Sequence, residues 1–415
     1  MKQVTAIVAG AGRRGRKAYA SYALDNPNEL KIVGVAEPDE EKREAFREEH
    51  RIPKENCFKS WEELLSQPKM ADCVLICTMD NMHYGPVKMA AEKGYHILCE
   101  KPMSSDREEL EDMARIARES GKVFSICHVL RYSPFFSELK RLLDAGAIGE
   151  LVSVQHIESV GFWHQAHSFV RGNWRNSDES SSMILQKCCH DMDILLWLVG
   201  SHCKRVSSFG SLMHFKAENA PQDAPMYCMD GCPHRDECPY FAPKFYLEHK
   251  YGKGFANAFT LDTSREGILN ALKDGPYGRC VYHCDNNVVD HQVVNLEFEN
   301  GVTANMTMCA FTNEMERVIN LMGTRGQIRG NMEKNYIEVM DFVTGHTYKI
   351  ELSVSESGHS GSDSMLMKEF TALVAADGKG KSRSSAEEAV ESHIIALAAE
   401  ESRLKNGKMI ELRTE

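Results

Sequence analysis

A chain of 415 residues is too long for one ordinary domain, and two to three is the natural expectation. Its 42% hydrophobic and 26% charged residues, without a low-complexity tract, exclude a disordered or fibrous chain. A formal net charge of -11 argues against wholesale binding to nucleic acid or to an anionic membrane.

Met1 to Ala9 is a short apolar run that soon meets glycine. It has neither a basic, cleavable leader pattern nor the length to span a bilayer, so the expected location is the cytoplasm. Fourteen cysteines without an export signal read as mostly free thiols, plus one candidate metal set.

The first 127 residues alternate strand and helix patterns. Val4 to Ala9 reads as a buried strand, and the helix after it carries Ala18, Tyr19, Tyr22 and Ala23 on one side. Lys31 to Ala36 reads as the second strand, and Cys73–Cys77, His96–Cys99 and Val123–Cys127 as further ones. Ser60 with Glu63, and Ser105 with Glu108, form capping boxes that open helices. Such regular alternation implies a doubly wound parallel sheet.

After about residue 150 the rhythm changes. Strand patterns at Leu151–Glu158 and Arg205–Phe215 flank a helix at Lys187–Val199. Hairpins are expected at Asn300-Gly301 and Thr344-Gly345, where glycine supplies the positive φ of a tight turn. Two helices close the chain, one from about Asp363 to Ala375 and one opened by Ser385-Ala-Glu-Glu388. This half reads as an α+β domain with an open, mostly antiparallel sheet. The division is therefore 1-127, a dinucleotide-binding Rossmann domain, and 128-415, a catalytic, substrate-binding and oligomerisation domain. A Cys-rich insertion interrupts the second at about 216-285.

The strongest local signal is Gly10-Ala-Gly12-Arg13-Arg14-Gly15 between the first strand and helix. Gly10 allows the turn, Gly12 lets the main chain approach a pyrophosphate, and Gly15 lets the helix pack closely. Glu37, ending the second strand about 20 residues on, is placed to bind ribose hydroxyls and disfavour a 2′-phosphate. NAD is the expected cofactor and NADP the alternative, because Arg13, Arg14 or Arg43 could accommodate a phosphate. Cys99-Glu100-Lys101-Pro102 ends another strand, which places Lys101 at the cofactor cleft.

With these motifs the chain resembles the glucose–fructose oxidoreductase, inositol dehydrogenase and rhizopine-catabolism (Gfo/Idh/MocA) family over nearly its whole length. The resemblance also rests on Thr78-Met-Asp80-Asn-Met-His83, Arg131-Tyr-Ser-Pro134, Gly146-Ala-Ile-Gly149 and His190-Asp-Met-Asp193. It implies a catalytic lysine at Lys101 and a catalytic histidine at His190. Thr78, Asp80, His83, Glu100 and Arg131 join the cofactor side. Where many members have Asp-x-Gly-x-His, this chain has Gln186 and Cys188, and Lys187 adds a second cation, as in a Lys-x-x-His subgroup. Lysines converging on the histidine would lower one another's proton affinity and favour a base near neutral pH.

Trp163, His167, Arg171, Trp174 and Arg175 combine rings for stacking on sugar C–H faces with polar groups for hydroxyls, and with His190 they form the expected substrate set. His359 and Asp363 resemble a family loop that approaches the substrate. Cys228, Cys232, Cys238 and Cys280, with Cys284 near, are candidate ligands of a structural zinc or iron–sulfur cluster.

The expected activity is hydride transfer between nicotinamide and a hydroxyl-bearing carbon of a sugar, sugar derivative or cyclitol, by a homo-oligomer without nucleic-acid or membrane partners. One alternative is a redox-neutral, NAD-dependent glycosidase that works through a keto-sugar and elimination. Another is a non-catalytic NAD-binding regulator.

Overall fold

The computed structural model describes residues 2–352 and 361–412. His359 and its expected role lie outside the described residues.

Val4–Ala9 (β1) is buried on both faces, which is why it reads as a continuous apolar run without alternation. A helix follows, with wide turns over Arg14–Ala20 that tighten at Ser21–Asp25 (α1) and bury Tyr19 and Tyr22. The chain continues through Leu30–Ala36 (β2), Glu40–His50 (α2), Cys57–Phe58 (β3), Trp61–Ser66 (α3), Cys73–Ile76 (β4), Tyr84–Glu92 (α4), His96–Cys99 (β5), Arg107–Glu119 (α5) and Phe124–Ile126 (β6). All six strands pair in parallel in the order β3-β2-β1-β4-β5-β6. Strand order therefore turns back between β1 and β4, which opens a crevice at their carboxyl ends.

Ser60 caps α3 as expected, accepting from the Glu63 amide at 3.3 Å. The cap of α5 is Asp106 instead of Ser105, because its carboxylate accepts from the Glu109 amide at 3.0 Å.

The second half comprises Pro134–Asp144 (α6), Leu151–Ser159 (β7), Phe162–Gln165 (α7), Met183–Val199 (α8) and Cys203–Ser211 (β8). Ala242–Glu248 (α9), Gly252–Ala256 (α10) and Arg265–Leu272 (α11) occupy the insertion and share a small core of Trp163, Phe245, Tyr246 and Leu272. Then come His291–Phe298 (β9), Thr303–Cys309 (β10), Glu316–Gly323 (β11), Gly326–Asn331 (β12), Tyr336–Asp341 (β13), Thr347–Glu351 (β14), Ser362–Ala375 (α12), Ala386–Leu404 (α13) and Ile410–Glu411 (β15).

Nine strands form one sheet in the order β14-β13-β12-β11-β7-β10-β9-β8-β15. Only the β7–β10 pair is parallel. Both expected hairpins form, with Gly301 at φ 84° and Gly345 at φ 71°.

One face of this sheet packs on α8, whose apolar residues meet Val154, Met306 and Leu321 in the main core. Helix α8 starts one turn before Lys187, because Met183, Ile184 and Leu185 continue its buried surface behind Ser182. His190 consequently sits in the third turn, not at the helix start.

The closing helices return to the first sheet. Leu366, Met367 and Phe370 of α12 complete a core with Ala6, Val8 and Leu98, and Ala386 and Ala389 of α13 pack with Leu110 and Met113. Among the described residues, no helix is long and apolar enough to cross a membrane.

Candidate active site

The glycine loop lies at the carboxyl end of β1. Gly10 has φ 95°, and a Cβ there would run into the Cys77–Thr78 peptide, 2.9 Å from the Thr78 nitrogen. A Cβ on Gly15 would strike the Gly10 carbonyl, so the helix passes as close to the turn as main chain allows. At Gly12 nothing lies within 4 Å of an added Cβ. That open space is the cradle a pyrophosphate needs, and the first amides of a helix face such a space without intrahelical partners.

Glu37 is 8% exposed; it accepts from the Ala11 amide at 2.8 Å and the Asp39 amide at 3.2 Å, which sets its carboxylate against the loop. The Thr78 hydroxyl oxygen is buried without a hydrogen-bond partner among the described residues. These features fit a dinucleotide. Arg43, considered above for a 2′-phosphate, donates to the Glu37 and Pro38 carbonyls at 2.6 and 3.2 Å.

Arg14, expected at the cofactor, is held by two carboxylates. It pairs with Glu100 at 2.6 Å and with Asp363 at 2.9 Å, tying the glycine loop to the lysine turn and to α12. Tyr19 adds a hydrogen bond to Glu100 at 2.5 Å. Burial works against the charge of Glu100, but Arg14, Lys101 and Tyr19 outweigh it and hold its carboxyl below the usual range. His83 stands between the Pro102 carbonyl at 2.7 Å and the Thr78 carbonyl at 3.1 Å, and Asp80 accepts from Ser181 at 2.7 Å. These three motifs thus form one edge of the cleft.

Lys101 crosses that cleft. Its ammonium donates to the main-chain carbonyl of Gln186 at 2.7 Å, one turn of α8 before His190. His128, fully buried at the end of β6, meets the His190 ring edge-on at 5.6 Å and the His393 ring at 5.3 Å. Burial, with Arg131 and Lys101 beside it, pushes the proton affinity of His128 well below that of an ordinary histidine. Arg131 forms a bidentate pair with Asp193, 2.8 Å at each nitrogen, and so ties the next turn of α8 to the segment that follows β6.

Lys187 leaves α8 on another side. Its ammonium pairs at 3.0 Å with Glu158, a buried residue on the inner face of β7, and Glu158 also meets Arg317 at 2.9 Å. Arg317 in turn holds Asp191 at 2.9 Å, and Asp191 holds His156 at 2.7 Å. Neighbouring His164 is kept neutral by burial first and by Lys187 and His167 next. Glu158, His128 and His164 escaped the sequence reading. For Glu158 a signal existed: Val154, His156 and Glu158 alternate on one face of β7, and charge on a core face needs a partner.

The expected substrate residues divide. His167 donates or accepts at 2.7 Å with the Tyr246 hydroxyl and stacks on Tyr277 at 4.7 Å. Trp163 is 3% exposed and enclosed by Phe245, His249, Tyr251 and Phe255, so it packs the insertion against α7. Arg171 is buried with its donors on the Arg279 and Tyr240 carbonyls, both at 2.7 Å. Trp174 leans on the main core, and Arg175 pairs with Asp285 at 2.8 Å. Phe255 reaches the cleft from the insertion, with the Arg13 guanidinium 5.3 Å above its ring.

The expectation of a metal shared by Cys228, Cys232, Cys238 and Cys280 is corrected. All fourteen cysteines are free thiols, and among the described residues no three His, Cys, Asp or Glu side chains gather to hold an ion. The Arg171 guanidinium lies among these sulfurs, 3.7 Å from Cys228, and a cation already in that place opposes a second.

Two family profiles match this architecture. Residues 4–128 match the oxidoreductase family's NAD-binding Rossmann fold, and 140–411 match its C-terminal alpha/beta domain. The chain belongs to the Gfo/Idh/MocA oxidoreductase family. Among its relatives, 2,7-anhydro-N-acetylneuraminate hydratase of Escherichia coli is 29% identical over 148 residues, covering 36% of this chain and 39% of the relative. The scyllo-inositol 2-dehydrogenase (NAD(+)) of Bacillus subtilis is 27% identical over 220 residues, 51% of this chain and 58% of the relative. The solved structure of a levoglucosan dehydrogenase in complex with NADH and L-sorbose shares the fold at a TM-score of 0.74 and 18% identity, with 100% of both chains covered.

Proposed function

We propose that this protein is an NAD-dependent oxidoreductase that moves a hydride between the nicotinamide and a hydroxyl-bearing carbon of a sugar, sugar derivative or cyclitol. The observation that carries the reading is the bond from Lys101 across the cleft to Gln186, which brings the end of β5 against the helix that bears His190. The open space over Gly12, the Glu37 carboxylate and the unpartnered Thr78 hydroxyl support a dinucleotide on the other side of the same cleft.

Bound there, the nicotinamide ring supplies the hydride acceptor or donor. The chain's own residues handle the proton. His190 takes it from the substrate hydroxyl as the carbon gives up hydride, and Lys101 donates a hydrogen bond to the same oxygen. Removing water and fixing the two reactants in one orientation accounts for much of the acceleration such sites achieve. Relatives named for an inositol and for levoglucosan favour a polyhydroxylated ring as substrate.

A second reading is redox-neutral chemistry, in which hydride leaves the ring for the nicotinamide, the neighbouring C–H gives its proton to a base as a leaving group departs, water adds to the double bond so formed, and hydride returns. Two observations favour keeping it: the hydratase relative, and Gln186 where the family pattern has a carboxylate. The purified protein with NAD and a panel of sugars, cyclitols and glycosides separates the two. Net growth of NADH absorbance supports the dehydrogenase. Cleavage or hydration without net NADH supports the redox-neutral route, and neither with any substrate argues against both.

A further inference from the structure

The charges buried between the nine-stranded sheet and α8 are arranged in pairs. Arg317 holds Asp191 at 2.9 Å, and Glu158 holds Lys187 at 3.0 Å, with Glu158 also 2.9 Å from Arg317. Glu158 is 0% exposed, so its carboxylate cannot rely on water and must be matched by charge. Since Arg317 is shared between Asp191 and Glu158, Lys187 supplies the further positive charge that Glu158 needs.

Lys187 stands three residues before His190, hence on a neighbouring side of α8. Its charge bears on His164 of α7, and His164 is in ring contact at 5.5 Å with Phe255, the residue under Arg13 of the glycine loop. The Lys187 side chain is still 14% exposed, so it is not sealed beneath the sheet. The Glu158 oxygens accept no hydrogen bond among the described residues, so the 3.0 Å contact is an ion pair that leaves the donors of the ammonium for a ligand.

We propose that Glu158 is a positioning residue of the cleft: from the inner face of β7 it fixes Lys187 as a charged hydrogen-bond donor that orients a substrate hydroxyl beside His190. The orientation of substrate rests on the oxidoreductase reading; the hold on Lys187 does not. Glu158 thus brings from a strand the carboxylate that the histidine helix lacks at Gln186, and acts on a lysine instead of on the histidine itself.

Lysine labelling by reductive methylation, read residue by residue by mass spectrometry on wild-type protein and on Glu158→Gln, tests the hold without substrate. Lys187 should react several-fold faster in Glu158→Gln while exposed Lys54 is unchanged. Equal rates at Lys187 overturn the proposal. If Glu158→Gln does not fold, Glu158→Asp keeps the charge but withdraws it by one methylene, and the same comparison applies.

With a substrate from the screen, Glu158→Gln should lower kcat/KM by about tenfold, mainly through KM, at unchanged NADH affinity. In a Lys187→Ala background it should have no further effect beyond about twofold. Additive losses would mean that Glu158 acts on something other than Lys187, which contradicts the proposal. Absence of turnover by the wild type with every sugar would sink the oxidoreductase reading, and the labelling would still decide the role of Glu158.

Discussion

Lys101 Nζ lies 2.7 Å from the carbonyl oxygen of Gln186, and this one hydrogen bond spans the cleft between the parallel sheet and helix α8. The lysine is carried by a turn whose carboxylate, Glu100, is tied to Arg14 of the glycine loop at 2.6 Å. Three sequence-distant motifs are therefore mechanically one piece.

The glycines of the loop should separate binding from folding. Gly12→Leu adds a side chain in open space, so the melting temperature without cofactor should stay within a few degrees while NADH affinity falls at least about tenfold. Gly15→Val should instead lower the melting temperature, because its Cβ strikes the Gly10 carbonyl. NADH fluorescence titration beside a thermal melt reads both. Tight NADH binding by Gly12→Leu would argue against a pyrophosphate at this loop.

The bidentate pair of Arg131 and Asp193 should matter more for stability than two ordinary hydrogen bonds would. Both partners are nearly fully buried, at 4% and 1% exposure. Asp193→Leu leaves a buried guanidinium with only the Arg383 carbonyl and the partly exposed Glu388 carboxylate, and should cost about 3 kcal/mol in a denaturant titration. Replacing both, as Arg131→Met with Asp193→Leu, should recover a large part of that loss. Additive losses would show that each residue is held by other contacts.

Stability should fall in acid through histidines that are kept neutral. Burial lowers His393 to about 3 and His167 to about 3, from 6.5. In His393 the Met103 amide donates to Nε2 at 3.0 Å, while Nδ1 donates to the Ala389 carbonyl at 2.9 Å, so the ring has no site for a second proton. The unfolded chain binds protons at these residues first. Their contribution is thus complete above about 6.5 and is lost as pH drops toward about 3, by up to about 1.4 kcal/mol per histidine per pH unit. Melts between these values should show the decline, and His393→Gln, which keeps an acceptor and cannot titrate, should flatten it. An identical acid limb in that variant would remove His393 from the explanation.

Much of the fold is legible in the residues because the same features act locally and globally. Gly10, Gly12 and Gly15 are spaced for a turn that the structure forms, and Asn300-Gly301 and Thr344-Gly345 make the hairpins they suggest. What pattern alone did not disclose was partnership over distance. The periodicity of residues 363 to 375 announces a helix, but nothing in it says that Leu366 and Phe370 pack beside Val8 of the first strand.

Helix α8 began earlier than its polar Gln186 and Lys187 suggested, because these two residues lie at the cleft and under the sheet, where polarity marks a site and not a helix end. In the cysteine-rich segment, spacing invited a metal, while the side chain that reached the sulfurs was Arg171, more than fifty residues upstream of Cys228 by sequence number.

The most direct test is of the two groups proposed to meet at the substrate oxygen. Lys101→Met and His190→Asn, each shown folded by its melt and still binding NADH, should be compared with wild type on the best substrate of the screen. The expected result is a drop in kcat of about 10²–10⁴-fold for each, with NADH affinity little changed. Near wild-type kcat in either variant would contradict proton handling at this cleft, and with it the placement of the chemistry between Lys101 and His190.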